Sequence, residues 1–229
     1  MHYDQASICW LDAISHELRT PVAILKGVME AMLDGVRPLT LERIQSSSEE
    51  VTQLEQLLDD LHELTRNDLG SMNYRKDSVD LIALLSEEAD HYHTLLFENG
   101  IEVKFAVLPD EAIIFADIKR LRQLLGNIIT NTIKYASEGD TLNIAIELSL
   151  DAKEYHIRIE DNGFGVDKND LPNLFEYLFR VEDSRNRETG GSGLGLSICK
   201  KIVEAHHGKI SAFASDLGGL GILIILPKG

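Results

Sequence analysis

The spacing of apolar residues changes period once along this chain, and that change limits the folds open to it. Over residues 4–34, Leu11, Ile14, Leu18, Pro21, Leu25, Val28 and Met32 follow one another at intervals alternating between three and four. This is the a/d seam of a heptad repeat, and it predicts a helix with one apolar stripe. Gly35 and Pro38 end the pattern. A second stripe follows at Ile44, Val51, Leu54, Leu58 and Leu61, with Ser47 at one seam position. Thr40 is the predicted N-cap of that helix, with Arg43 where a capping box would have Glu. Two helices joined by a short loop predict an antiparallel hairpin. A lone hairpin leaves its seam in water, whereas two hairpins about a two-fold axis bury both seams in a four-helix bundle. A homodimer is therefore expected.

Arg66 to Asp80 is polar, with Gly70 and Asn73, and reads as a linker between domains 1–70 and 71–229. Beyond it the apolar period shortens to two in several places. Leu81 to Phe97 reads as a helix, Ile101-Val103-Phe105-Val107 as a half-buried strand, and Ile113-Phe115 as an extension of the same sheet. Ile118 to Tyr135 reads as a helix, and Leu142 to Leu148 and Tyr155 to Ile159 as paired strands. Asp170 to Phe179 reads as a short helix, Leu194 to His206 as a longer one, and Lys209 to Phe213 and Ile222 to Leu226 as closing strands. The expectation is a mixed sheet with helices on one face, an α/β sandwich. Residues 180–192 form a long Arg- and Gly-rich loop, of a length usual for a functional lid or a disordered segment.

Bulk properties remove several functions. The net charge of -16, from 22 basic and 38 acidic residues, repels phosphate backbones and anionic lipid, so neither nucleic acid nor a membrane surface is an expected partner. Cys9 and Cys199 lie far apart, which argues against a disulfide framework or zinc site. No apolar run is long enough to span a bilayer. The chain starts almost directly before a histidine motif and reads as a fragment of something longer.

Several local patterns carry chemistry. With Leu11 and Leu18 at a positions, His16 falls at f, farthest from the seam, so its ring is expected to face water. Asn127 and Asn131, one helical turn apart, share a face, and Lys134 and Tyr135 follow a turn later. Two amide oxygens can help fill the oxygen shell of magnesium, lysine supplies a point charge, and tyrosine offers a flat surface to a purine. Asp161-Asn162-Gly163-Phe164-Gly165 ends a strand; Gly163 and Gly165 permit a tight turn, and the aspartate can accept from an exocyclic amine. Gly191-Ser192-Gly193-Leu194-Gly195-Leu196 leads into a helix, where backbone N–H groups meet phosphate oxygens. It is neither a Walker loop nor a Rossmann fingerprint. Arg180, Arg185 and Arg187 precede it, and one of them could reach a γ-phosphate.

The order and spacing of these patterns resemble the cytoplasmic core of bacterial sensor histidine kinases over essentially the whole chain. His16-Glu17-Leu18-Arg19-Thr20-Pro21 looks like the H box, Asn127 to Tyr135 the N box and Asp161 to Gly165 the G1 box. Phe175 to Arg180 looks like the F box and Gly191 to Leu196 the G2 box. Five boxes in order are far more specific than any one, and the arrangement is nearest to envelope-stress sensors of Gram-negative bacteria. The implied fold class is α+β: a helical hairpin forming a dimeric four-helix bundle, then a GHKL (Bergerat) sandwich with a mixed sheet.

The resemblance also implies roles. His16 accepts the γ-phosphoryl group of ATP, Glu17 acts as base or polariser, and Thr20 helps position water for dephosphorylating the partner. Asn127 and Asn131 hold Mg2+, Lys134 contacts phosphate, Tyr135 the base, Asp161 the adenine amine and Arg180 the γ-phosphate. Pro21 bends the helix beyond His16. The implied partners are a second copy and a response-regulator receiver domain docking over Lys26, Gly27 and Glu30. The implied location is the cytoplasmic part of an inner-membrane sensor. Two departures stand out: Leu178 replaces the second aromatic of the F box, and Ile222 follows Gly219-Leu220-Gly221 where Thr or Ser is common. Two rivals share the scaffold. One is a module that mainly dephosphorylates its regulator, which would not need His16. The other is a chaperone- or topoisomerase-type ATPase clamp, which would lack the phosphoacceptor hairpin.

Overall fold

The structure, a computed structural model, describes residues 18–19, 21–36, 38, 40–68, 74–107, 109–135, 141–148, 153–181 and 193–228. The chain divides into two compact units, Met1–Gly70 and Ser71–Gly229.

In the first unit, α1 comprises the helical residues 18–19 and 21–33. Thr20, on which the expected bend at Pro21 depends, lies outside the described residues. The helix ends at Gly35, whose φ of 69° no β-carbon-bearing residue adopts easily. Helix α2 (Leu41–Asp68) opens with the Ile44 N–H donating to the Thr40 carbonyl at 3.1 Å. Arg43 reaches back to the Pro38 carbonyl at 3.4 Å, so the residue in place of a capping-box Glu ties down the turn instead. The predicted seam of α1 (Leu18, Pro21, Leu25, Val28, Met32) is its half-buried row, while Val22, Ile24, Met29 and Leu33 are exposed. On α2 the seam splits. Ser47, Leu54 and Leu61 are half-buried, whereas Ile44, Val51 and Leu58 form a second heptad-spaced row that stays exposed.

In the second unit, β1 (Asp77–Asp80) leads into α3 (Leu81–His91) and α4 (His93–Glu98). Strands β2 (Glu102–Val107) and β3 (Ile113–Ala116) precede α5 (Ile118–Tyr135). Then come β4 (Thr141–Leu148), β5 (Glu154–Asp161), α6 (Gly195–Ala205), β6 (Lys209–Ala214) and β7 (Leu220–Pro227). The main sheet has the order β2-β4-β5-β7-β6, with β2 and β4 parallel and the other pairs antiparallel. Alternate residues Tyr155, Ile157 and Ile159 of β5 and Ile222, Ile224 and Leu226 of β7 are buried. They share one core with Leu121, Leu124 and Ile128 of α5 and Ile198, Ile202 and Val203 of α6.

Four expectations are corrected. The linker reading of residues 66–80 fails at both ends, because α2 runs to Asp68 and residues 77–80 form β1. Ile113–Phe115 does not extend the main sheet: β3 pairs with β1 in a separate ribbon, Ser78 opposite Phe115. Only Val79 of β1 is buried, so no alternation announces that strand. The helix expected over Leu81 to Phe97 breaks at Tyr92, where the ring packs its hydroxyl against Gly126 of α5. The helix expected over Asp170 to Phe179 is only a single 3-10 turn, Leu171–Asn173, followed by turns. Leu178 has φ of 61°, which no α-helix accommodates.

Two helix ends use the same termination with different residues. After α4, Ile101 N–H bonds the Leu96 carbonyl and Gly100 N–H the Phe97 carbonyl, with Gly100 left-handed at φ 71°. After α6, Gly208 N–H bonds the Val203 carbonyl and His207 N–H the Glu204 carbonyl. Both are Schellman motifs, but the second places a histidine at φ 60°.

The far ends of α5 and α6 meet at His206. Its Nε2 accepts from the Asp117 N–H at 2.9 Å and its Nδ1 lies 2.8 Å from the Ile202 carbonyl, so the ring is neutral with the proton on Nδ1. Burial, above all, holds its pKa below 6.5. Tyr74 stands edge-on to the ring, and the Arg75 N–H donates to the Asp117 carboxylate at 2.8 Å. That carboxylate in turn caps α5 by accepting from Lys119 and Arg120, while Lys76 caps α6 through the Ala205 carbonyl at 2.9 Å.

Candidate functional site: a nucleotide pocket

Helices α5 and α6 run antiparallel where they touch. The Cys199 thiol approaches the Leu124 carbonyl, and nearly one turn further along α5 the Asn127 Nδ2 donates to the Gly195 carbonyl at 3.2 Å. Asn127, Asn131 and Lys134 occupy one face of α5 by their spacing; Asn131 and Tyr135 are half-buried and Lys134 is exposed. The two asparagines thus stand beside the start of α6. With its nitrogen given to Gly195, the Asn127 amide directs its oxygen elsewhere, which suits a hard cation.

Leu194 precedes the first turn of α6 and has no polar side chain to cap it. The N–H groups at the start of a helix carry the positive end of its dipole, the arrangement that receives phosphate. Leu194 itself is buried, and its carbonyl accepts from the Ile198 N–H and the Ser197 hydroxyl, which pins the turn. Gly193, at φ 67°, lies against the backbone of Leu178; a β-carbon there would stand 2.9 Å from it. The Leu178 N–H donates to the Gly193 carbonyl at 3.1 Å. Lys200 and Glu176 pair at 3.2 Å, adding a second tie between α6 and the turn before Leu178. The departure at Leu178 therefore falls on a left-handed residue clasped by Gly193. Arg180 is exposed next to this clasp in sequence.

At the end of β5 the Asp161 Oδ1 accepts two backbone N–H groups, Gly163 at 3.1 Å and Leu220 at 3.0 Å. Gly165, at φ 67°, brings its loop against the carbonyls of Gly218 and Gly219. Asn162 turns away and accepts from the Thr141 N–H at 2.6 Å, joining the loop to β4. Ile222, flagged by the sequence as a departure, is buried in the core and offers no polar group. Gly219, Leu220 and Asn162 were missed as functional supports; the Gly218-Gly219 pair before a strand was the available signal. His16, Glu17, Thr20, Arg185, Arg187 and Gly191 lie outside the described residues.

Comparisons with known proteins agree with this fold. The family model described as histidine kinase-, DNA gyrase B- and HSP90-like ATPase matches residues 116–229. The model described as His Kinase A (phospho-acceptor) domain matches residues 10–70. The chain belongs to the histidine kinase family, with a phosphoacceptor domain followed by a GHKL-type ATPase domain. It is 44% identical over 214 residues to the signal transduction histidine-protein kinase BaeS of Escherichia coli (strain K12), covering 93% of this chain and 45% of that protein. Among solved structures, the Acinetobacter baumannii histidine kinase AdeS superposes with a TM-score of 0.76 at 25% identity, covering 93% of this chain and 97% of that one. Full-length ShkA, solved in complex with AMPPNP, gives a TM-score of 0.62 at 28% identity, over 95% of this chain and 45% of that one. The chain spans about a third to a half of the length of the curated relatives it matches.

Proposed function

We propose that this chain is the catalytic core of a sensor histidine kinase that uses ATP to phosphorylate His16 and passes the phosphoryl group to an aspartate of a response-regulator receiver domain. The observation that carries the reading is the Asn127–Gly195 hydrogen bond, which sets the asparagine face of α5 beside the start of α6. The AMPPNP bound by ShkA supports an adenine nucleotide as the ligand.

The residues divide the work. Gly191, Gly193 and Gly195 let backbone N–H groups approach the phosphates, Lys134 and an arginine of the set Arg180, Arg185 and Arg187 add positive charge, Tyr135 and Asp161 address the base. The amide oxygens of Asn127 and Asn131 would hold magnesium, which neutralises phosphate charge when bound. The His16 ring nitrogen attacks the γ-phosphorus; a P–N bond forms, the bond to the bridging oxygen breaks, and ADP leaves. Glu17 accepts the proton that the ring gives up. Transfer to the regulator reverses the ring chemistry and leaves an acyl phosphate on its aspartate. Thr20 would place water for its later hydrolysis.

The domain assignment 1–70 and 71–229 follows the division of roles, and the exposed Ile44, Val51 and Leu58 row is the surface that a second copy would cover. No described helix is long and apolar enough to cross a membrane. The chain is proposed as the cytoplasmic part of a membrane-bound sensor. The regulator would dock over Lys26, Gly27 and Glu30, where Lys26 and Glu30 form an exposed pair at 3.7 Å. Charge reversal at Lys26 should slow phosphotransfer without affecting autophosphorylation.

Incubation with γ-labelled ATP and magnesium tests the activity. The expected product is acid-labile, base-stable label on the unmodified chain and none on the His16→Gln variant. Free phosphate release with unlabelled protein would instead favour a clamp ATPase.

A further inference from the structure

The carboxylate assigned to the base is held by an element outside the five boxes. Asp161 closes β5, and the turn joining β6 to β7 crosses directly behind it. A β-carbon on Gly219 would overlap the Asp161 Oδ1 and stand 2.5 Å from the Asp161 carbonyl and 2.6 Å from the Gly163 nitrogen. No side chain fits there. Immediately after it, the Leu220 N–H donates to Oδ1 at 3.0 Å, and the Gly163 N–H donates to the same oxygen at 3.1 Å. The turn is braced in its own right: the Ser215 N–H bonds the Gly219 carbonyl at 3.0 Å, and the buried Ser215 hydroxyl donates to Glu160 at 3.1 Å. The Leu217 N–H in turn donates to that hydroxyl at 3.0 Å.

We propose that the β6–β7 turn sets the purine selectivity of this pocket, with Gly219 and the Leu220 N–H as positioning elements that lock the Asp161 carboxylate in one orientation toward the base. The proposal rests on the reading of Asp161 as the residue that meets the base. Two donors on one oxygen decide the behaviour of an amide placed there. The oxygen of an asparagine must take the Oδ1 position, because an NH2 group there would oppose both N–H donors. Its NH2 then occupies the Oδ2 position and offers a donor where the carboxylate offered an acceptor. A 6-amino purine brings a donor to that point and a 6-oxo purine an acceptor. The locked site therefore converts Asp161→Asn into a change of preference. An unlocked site would let the amide rotate and keep the 6-amino base.

The test compares ADP with inosine diphosphate on the full 229-residue chain by calorimetry. The unmodified chain should prefer ADP. In Asp161→Asn, ADP should weaken on the order of tenfold, as expected for one mismatched hydrogen bond, and inosine diphosphate should gain relative to it. Gly219→Ala should lower ADP affinity and shrink the preference, while Leu217→Ala in the same turn should keep both. In the unmodified, nucleotide-free chain, the Leu220 and Gly163 amides should already be protected from hydrogen exchange, a readout that needs no variant to fold. The positioning role is overturned if Asp161→Asn keeps its preference for ADP, if it loses both nucleotides equally, or if those amides exchange freely. An unmodified chain that binds neither nucleotide removes the reading of the site itself, a separate and recognisable failure.

Discussion

The two units of this chain bury their apolar residues to very different degrees. In the sandwich, Leu81, Leu121, Leu124, Ile128, Ile198 and Ile224 are almost fully enclosed within a single chain. In the hairpin, Ile44, Val51 and Leu58 remain 48%, 44% and 43% exposed, and Leu33 84%. A sheet covered by helices closes its own core, while two helices offer each other only one face. The sandwich therefore closes its own core, and the hairpin leaves an apolar row open that the proposed second copy would cover. This is a difference in what each unit asks of its surroundings as much as in stability.

Breaking the hairpin's exposed row should have the largest effect. Val51→Glu with Leu58→Glu is expected to turn a dimer into a monomer in sedimentation and to melt the hairpin, leaving the thermal transition of residues 71–229 in place. A single coincident transition that shifts as a whole would contradict the comparison. Next comes a cut inside the sandwich. Arg122, itself partly exposed, spans Glu87 and the buried Glu88, so Arg122→Ala leaves that carboxylate unpaired and should cost about 1.5 kcal/mol in urea unfolding once solvent screening is allowed for.

A smaller effect should follow pH. Burial disfavours the charged His206 ring, so the unfolded chain takes up that proton first as pH falls. The stability due to the neutral ring is complete above about pH 6.5 and is lost from there down toward the lower folded pKa, at no more than about 1.4 kcal/mol per pH unit. Tyr74, Lys76, Asp117 and His207 surround or influence the ring, and the slope should vanish in His206→Phe while persisting in His207→Gly. The smallest effect should come from that last variant itself. His207 fills a left-handed position that Gly100 fills after α4, so His207→Gly should raise sandwich stability by about 1 kcal/mol, read as a higher Tm.

The parts legible in the sequence are those whose meaning is local. Asn127 and Asn131 share a face because four residues make about one turn, and Gly193 to Gly195 open a helix because glycine and the following apolar period say so. The α1 seam was legible for the same reason. What stayed hidden depends on partners distant in sequence. Strand β1 has a single buried residue and exists because β3 pairs with it. The break at Tyr92 follows from the approach of α5. Gly219 read as part of a departure near the chain's end, and its role emerges only when the β5–β7 register brings it behind Asp161. Likewise, nothing in two adjacent histidines distinguishes the enclosed His206 from the exposed His207.

The clasp around His206 has a mechanical corollary. Tyr74, Arg75 and Lys76 are the first described residues after the stretch that follows α2, and they are fastened at once to the beginning of α5 and the finish of α6. Both helices carry the proposed nucleotide-binding residues further along, where Asn127 meets Gly195. Tension on the backbone at this entry point thus has two rigid levers to act upon, roughly 14 Å and 15 Å long from nine and ten helical rises.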